Sequence, residues 1–253
     1  MNAASWNKPA KLLVLVLLAG YLLLLTGMFV FQRSLLYFPK HLEPATRLAP
    51  WQDGERLIGY RHEVPKPGAV WLMLHGNAGQ AAERDYVLRR MSDQDSLFVL
   101  EYPGYGNRLG SPSLASINQA ASDAFRLLRA RNPEVPVCVL GESLGSGPAC
   151  SLALEKNPPD KIVLMVPFDS LASVASGRFF FLPVRALLWD AWDNVETLRN
   201  YAGPVDIFGA TGDTVIPVSH ARLLAEQVPG ARFIPIDCGH NGWSKCELVR
   251  ISR

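Results

Sequence analysis

The sequence is short of the residues that build metal and redox centres. Only four cysteines occur in 253 residues: Cys138, Cys150, Cys238 and Cys246. None lies in a C-x-x-C pair, and no histidine–cysteine group has zinc-ligand spacing, so a structural zinc module is excluded. Cys138 falls inside an apolar run and reads as a buried thiol. Cys238 and Cys246 either bridge in an oxidising compartment or stay free, and sequence proximity does not choose between them. Long runs of one charge are absent as well. The formal net charge is +2, with no clustered basic face to meet phosphates, so no nucleic-acid partner is expected. Repeats and low-complexity segments are missing too. With 49% hydrophobic and 19% charged residues, the chain reads as one globular domain plus an appendage.

The appendage comes first. Leu12 to Phe31, LLVLVLLAGYLLLLTGMFVF, carries no charge. About 20 residues at a 1.5 Å rise span roughly 30 Å, the hydrocarbon thickness of a bilayer. A cleaved signal peptide has a shorter apolar core and a small-x-small site near its end, which Met28-Phe29-Val30-Phe31-Gln32-Arg33 does not offer. A lipoprotein signal needs cysteine after Leu18-Ala19-Gly20, where Tyr21 stands. A buried core helix does not suit a terminal segment that is apolar all round. A retained single-pass membrane anchor, residues 1–33, is therefore expected. Its orientation is not fixed by charge, because Lys8 and Lys11 on one side balance Arg33, Lys40 and Arg47 on the other.

Residues 34–54, punctuated by Pro39, Pro44 and Pro50, read as a linker, with Leu35-Leu36-Tyr37-Phe38 suited to the membrane interface. Beyond them, residues 55–253 alternate short apolar runs with helical patterns. Strands are expected at 58–64, 70–74, 97–100, 135–140, 162–166, 205–208 and 232–236. Helices are expected at 80–91, 114–131, 144–156 and 218–227. Apolar runs without clean alternation imply strands buried on both faces. The strand–helix alternation implies an α/β fold: a mostly parallel central sheet with helices on both faces.

Directly after the run Val135–Leu140 stands Gly141-Glu142-Ser143-Leu144-Gly145. This G-x-S-x-G pattern occurs by chance in about one chain of this length in ten. A strand-to-helix junction is what gives it meaning. Glycines there permit a tight, strained turn that projects a serine oxygen from the top of the sheet. A serine hydroxyl is a poor nucleophile until a base takes its proton. In the chain order Ser–acid–His, only His220 and His240 follow Ser143, out of five histidines. His220 sits in a helical stretch and reads as a surface or packing residue. His240 lies in a loop beyond the last strand, at the sheet's carboxyl edge, and is the expected base. Asp213, in a loop after the strand at 205–208, is the expected acid, although a turn or N-cap aspartate looks the same. Asp169 is the main rival, and Asp237 lies too near His240 to come first. An oxyanion needs fixed N–H donors, for which the backbone of Leu144 and of Asn77 are the candidates. His75 precedes Ser143 and reads as structural.

Several stretches together resemble one known group. LHGNAGQAAER (Leu74 to Arg84), EYPGYGNRLGSPS (Glu101 to Ser113), GESLGSGPA (Gly141 to Ala149) and GATGDTVIPVSHA (Gly209 to Ala221) occur in order. With the run from Pro167 to Asn200 and FQRSLLYFP (Phe31 to Pro39), they resemble membrane-anchored α/β-hydrolases related to dienelactone hydrolases and eukaryotic protein depalmitoylases. The resemblance implies the α/β-hydrolase fold, a Ser143–Asp213–His240 triad, and ester or thioester hydrolysis; it does not imply a substrate, for which acyl chains on lipids or on proteins are candidates. This chemistry requires no metal or organic cofactor. Two departures stand out. Asn107-Arg108-Leu109 replaces small polar residues and implies a different cleft rim, and Glu142 puts a carboxylate beside the nucleophile. A catalytically silent binding protein at the membrane and an amide- or peptide-cleaving variant are the alternatives. Residues 170–200 leave room for a short lid. Their apolar Phe179-Phe180-Phe181-Leu182-Pro183 and Leu187-Leu188-Trp189 either cap an acyl cleft, rest on lipid, or pack a helix on the sheet.

Overall fold

The computed structural model describes residues 8–42 and 46–253. The chain opens with α1 (Lys8–Leu36), then a hairpin of β1 (Ala49–Asp53) and β2 (Arg56–His62). β3 (Val70–Leu74) leads through a 3₁₀ segment, Ala81–Arg90, to β4 (Ser96–Leu100) and α2 (Leu114–Arg131). β5 (Val137–Glu142) turns into α3 (Ser146–Ser151), followed by β6 (Ile162–Met165). Three short helices, α4 (Leu171–Arg178), α5 (Val184–Leu187) and α6 (Asn194–Leu198), precede β7 (Val205–Ala210). α7 (Val218–Gln227) and β8 (Ala231–Ile236) complete the frame.

The strands form one eight-stranded sheet in the order β1-β2-β4-β3-β5-β6-β7-β8. β1 and β2 are antiparallel, β2 is antiparallel to β4, and the pairs from β4 to β8 are parallel. Every residue of β3, β4 and β5 is buried. Their side chains alternate between two cores, as a period of two requires. Val70, Leu72 and Leu74 join the core beneath α2 and α3, whereas Trp71 and Met73 face the core that holds Val87, Trp243 and Ile251. α2 places Ile117, Ala120, Ala121, Ala124, Phe125 and Leu128 on its buried stripe. It starts at a capping box in which Ser113 and Ser116 exchange side-chain-to-backbone hydrogen bonds, both 3.0 Å, an arrangement that contributes about 1 kcal/mol.

Three expectations need correction. The stretch read as linker is largely built into the domain. α1 continues to Leu36, Pro39 bridges to Gly79, and Ala49–Asp53 pairs along β2 as an edge strand. Pro50 concealed this strand, because proline reads as a breaker yet is tolerated at a sheet edge. Gly54, φ +59°, makes the tight turn into β2. Pro44 lies outside the described residues. The helix read at 80–91 is a 3₁₀ segment, and the one read at 144–156 is broken into a 3₁₀ turn at Ser143–Gly145, α3, and another at Leu152–Leu154. All four cysteines are free.

α1 is long and apolar enough to cross a membrane, with a mean hydropathy of 2.6 in its most apolar 18 residues. It is a candidate anchor, and residues 1–7 of the expected anchor lie outside the described residues.

Candidate active site

The carboxyl ends of the parallel strands converge on one cleft. β5 ends at Glu142, and Ser143 follows with φ +51°, a left-handed conformation that serine adopts only under constraint. The flanking glycines leave no space for side chains. A Cβ at Gly145 would come within 2.0 Å of the Leu74 carbonyl oxygen, and one at Gly141 within 2.6 Å of Ala149 Cβ. The turn is held from below by Ser146 Oγ, which donates to the Ser143 carbonyl at 2.7 Å.

His240, in the loop after β8, brings Nε2 to 2.9 Å from Ser143 Oγ. Its Nδ1 lies 2.6 Å from Asp213 Oδ2, after β7. The other carboxylate oxygen of Asp213 accepts from the backbone N–H of Val215 and Ile216, both at 2.8 Å. Those two bonds orient the carboxylate, whose side chain is 1% exposed. With the Nδ1 proton held by Asp213, Nε2 presents a lone pair to the serine hydroxyl. The expected nucleophile, acid and base are thus brought into one hydrogen-bonded line from three separate strands. Asp169, the rival acid, is engaged elsewhere: its Oδ1 meets His220 Nδ1 at 2.6 Å. Asp237 contacts Thr211 Oγ1 at 3.4 Å.

Leu144 follows Ser143 within the 3₁₀ turn Ser143–Gly145, and Asn77 lines the cleft on the loop after β3. The Asn77 side chain is a fastening point. Its Nδ2 donates to the Leu36 carbonyl at 2.5 Å, and its Oδ1 accepts from Phe38 N–H at 3.0 Å and from the Tyr105 hydroxyl at 2.8 Å. The end of α1 is therefore tied to the loop proposed to hold the oxyanion. The cleft encloses about 540 Å³, with Phe38, Arg84, Tyr86, Val166 and Val215 among its walls.

Glu142 is the departure that the structure explains best. Its carboxylate is buried rather than free in the cleft. It accepts from Gly76 N–H at 3.0 Å, the Tyr86 hydroxyl at 2.7 Å and Trp243 Nε1 at 2.9 Å, and pairs with Arg84 Nε at 3.3 Å. Burial by itself raises a carboxyl pKa, but Arg84 and these three donors together outweigh it and hold Glu142 below the ordinary range. One carboxylate thereby joins the β3 loop, the 81–90 segment and the loop that carries His240. Sequence reasoning missed Arg84, Tyr86 and Trp243. The one available signal was Arg84 at the end of the recognised run from Leu74.

In the other departure, none of Asn107, Arg108 and Leu109 is among the residues that line the cleft. Arg108 turns inward and donates to the carbonyls of Glu101 at 2.7 Å and Ile58 at 3.1 Å. Burial and the neighbouring Arg56 lower its pKa to about 10. His75 is fully buried and stacks on Tyr102, the structural role expected of it. The Cys138 thiol is pushed up to about 12, chiefly by burial. Among the described residues no group of His, Cys, Asp and Glu is arranged to hold a metal ion.

Fold and site together define a class of architecture: the chain has the α/β-hydrolase fold. An esterase from Pyrococcus furiosus superposes with a TM-score of 0.62 at 13% identity, covering 83% of this chain and 94% of that one. An alpha-beta hydrolase from Vibrio vulnificus gives a TM-score of 0.60 at 19% identity, over 74% and 71%. No family model matches the sequence. Within the class, the chain belongs to the same family as uncharacterized protein Rv2307c of Mycobacterium tuberculosis. The two are 31% identical over 227 residues, 83% of this chain and 80% of that protein. Lysophosphatidylserine lipase ABHD12 of Macaca fascicularis is more distant, 27% identical over 238 residues, and the chain spans 60% of its length.

Proposed function

We propose that this chain is a membrane-anchored serine hydrolase that cleaves esters or thioesters of amphiphilic acyl substrates. Residues 1–33 would anchor it, and the hydrolase domain would run from the edge strand β1 (Ala49–Asp53) to residue 253. The observation that supports this reading most is the unbroken line Ser143 Oγ–His240 Nε2–Nδ1–Asp213, at 2.9 and 2.6 Å. Ser143 Oγ attacks the acyl carbon while His240 Nε2 takes its proton. Asp213 keeps the imidazole in the productive tautomer and stabilises the imidazolium. The negative oxygen of the tetrahedral intermediate is met by the backbone N–H groups of Leu144 and Asn77. His240 then returns the proton to the leaving alcohol or thiol. Water, deprotonated by the same imidazole, releases the carboxylic acid and restores Ser143.

The lysophosphatidylserine lipases among its relatives favour a lipid ester, and the sequence resemblance to depalmitoylases adds acyl thioesters. The test is turnover by the full chain in detergent, with p-nitrophenyl butyrate, a lysophospholipid and a palmitoyl thioester as substrates. Hydrolysis of at least one, lost in Ser143→Ala, is expected. Equal rates in the parent and Ser143→Ala would sink the proposal.

A further inference from the structure

The hairpin between α4 and α6 lies against α1, and the contacts are specific. Near the domain, Arg33 Nε donates to Asp190 at 3.0 Å, and the Tyr37 hydroxyl donates to the same carboxylate at 2.9 Å. Beside Arg33 in the chain, Gln32 Nε2 donates to the Leu187 carbonyl at 3.0 Å and Gln32 Oε1 accepts from Trp189 N–H at 2.7 Å. Phe29 meets the Trp189 ring edge-on at 4.8 Å. Farthest out, the Tyr21 hydroxyl donates to the Phe181 carbonyl at 2.9 Å. Tyr21 stands in the middle of the apolar span. Ten residues separate it from Phe31, about 15 Å along the helix.

At this level the hairpin shows the reverse of a water-facing loop. Phe180 is 86% exposed and Phe181 53%, and Phe179 and Trp189 are also exposed. Their neighbours enclose an apolar pocket between Met28, Leu35, Ala175, Leu182 and Leu187. Aromatic side chains fully exposed to water at a loop tip are costly, and hydrocarbon removes that cost. Non-helical backbone in hydrocarbon has the opposite requirement, that its polar groups find partners in the protein. Tyr21 and Gln32, polar side chains of α1, supply such partners to Phe181, Leu187 and Trp189. Two observations therefore point to one occupant, the acyl region of a bilayer: apolar side chains face outward, and backbone groups of Phe181, Leu187 and Trp189 are met inward by α1.

We propose that the tip Phe179–Leu182 is a second membrane-inserted element, entering the hydrocarbon beside α1 and seating the Ser143 cleft at the lipid surface. The proposal rests on α1 spanning the bilayer, which the test reads separately. The full chain is reconstituted in palmitoyl-oleoyl phosphatidylcholine vesicles with p-benzoylphenylalanine replacing Phe180, Leu23 in α1, or Leu154. Leu154 is 74% exposed on the body of the domain. After irradiation, intact-mass measurement is expected to show phospholipid adducts at positions 180 and 23, at least ten-fold above those at 154. Adducts at 23 without adducts at 180 would overturn the insertion and leave the anchor standing. Adducts at neither would overturn both, and adducts at 154 equal to those at 180 would show the tip to be no closer to lipid than the body.

Discussion

The floor of the Ser143 cleft and the hairpin beside α1 solve opposite problems. In the cleft, polar groups are driven indoors and each charge is matched: Glu142 has Arg84 and three hydrogen-bond donors, and Asp213 has His240 and two backbone N–H groups. At the hairpin's tip, phenylalanines point outward and the backbone is met by Tyr21 and Gln32 of α1, while the charge of Asp190 at its base is matched by Arg33 and Tyr37. A buried carboxylate is tolerable only when paired, and an exposed aromatic cluster is favourable only in a medium other than water. The cleft thus gathers fixed, paired charge, and the hairpin's tip presents an apolar surface that carries none.

The comparison is broken most severely at the cleft. Ser143→Ala and His240→Ala are each expected to lower kcat by about 10⁴-fold or more, and Asp213→Asn by about 10⁴-fold. Circular dichroism should stay unchanged in all three. Glu142→Ala attacks the floor instead. It strands the Arg84 guanidinium in a buried site and is expected to cost about 3–5 kcal/mol of stability, read by urea denaturation.

Glu142 also gives the comparison a pH axis. Its pKa is depressed in the folded protein. Its contribution is therefore complete above the ordinary carboxylate value, about 4.3, and is lost as pH falls through the folded value. Parent stability should fall with acidification below about pH 4, and Glu142→Gln should show a shallower acid limb in the same titration.

Smaller effects separate hairpin from anchor. Asp190→Ala leaves the buried Tyr37 hydroxyl without its acceptor and frees Arg33, at an expected cost of about 1–3 kcal/mol in thermal denaturation. Phe180→Ser, in detergent, should change stability by no more than about 0.5 kcal/mol, because that side chain packs on little of the protein. A loss several times larger would mean that the tip is part of the domain's core and would erase the contrast.

Much of this frame was legible in the sequence where local signals and burial agree. β3, α2 and α7 have the bounds read for them, since fully apolar runs, a serine cap and helical periodicity act within a few residues. The tight turn at Ser143 was legible because Gly141 and Gly145 are required by direct backbone approach. β1 was not, because a five-residue edge strand containing Pro50 has almost no local signature and depends on pairing with β2. The Glu142 cluster was hidden for another reason. Gly76, Arg84, Tyr86 and Trp243 meet it from as far as 101 residues away, and no spacing rule connects them. The match between Tyr21 and Phe181, 160 residues apart, is of the same kind.

The central claim is that Ser143 is an activated nucleophile, and labelling of the full chain with a fluorophosphonate tests it most directly. The account predicts one phosphonyl group, carried on the tryptic peptide Asn132–Lys156 at Ser143, and its loss in His240→Ala. A folded parent that takes no label, or takes it on another residue, would contradict it.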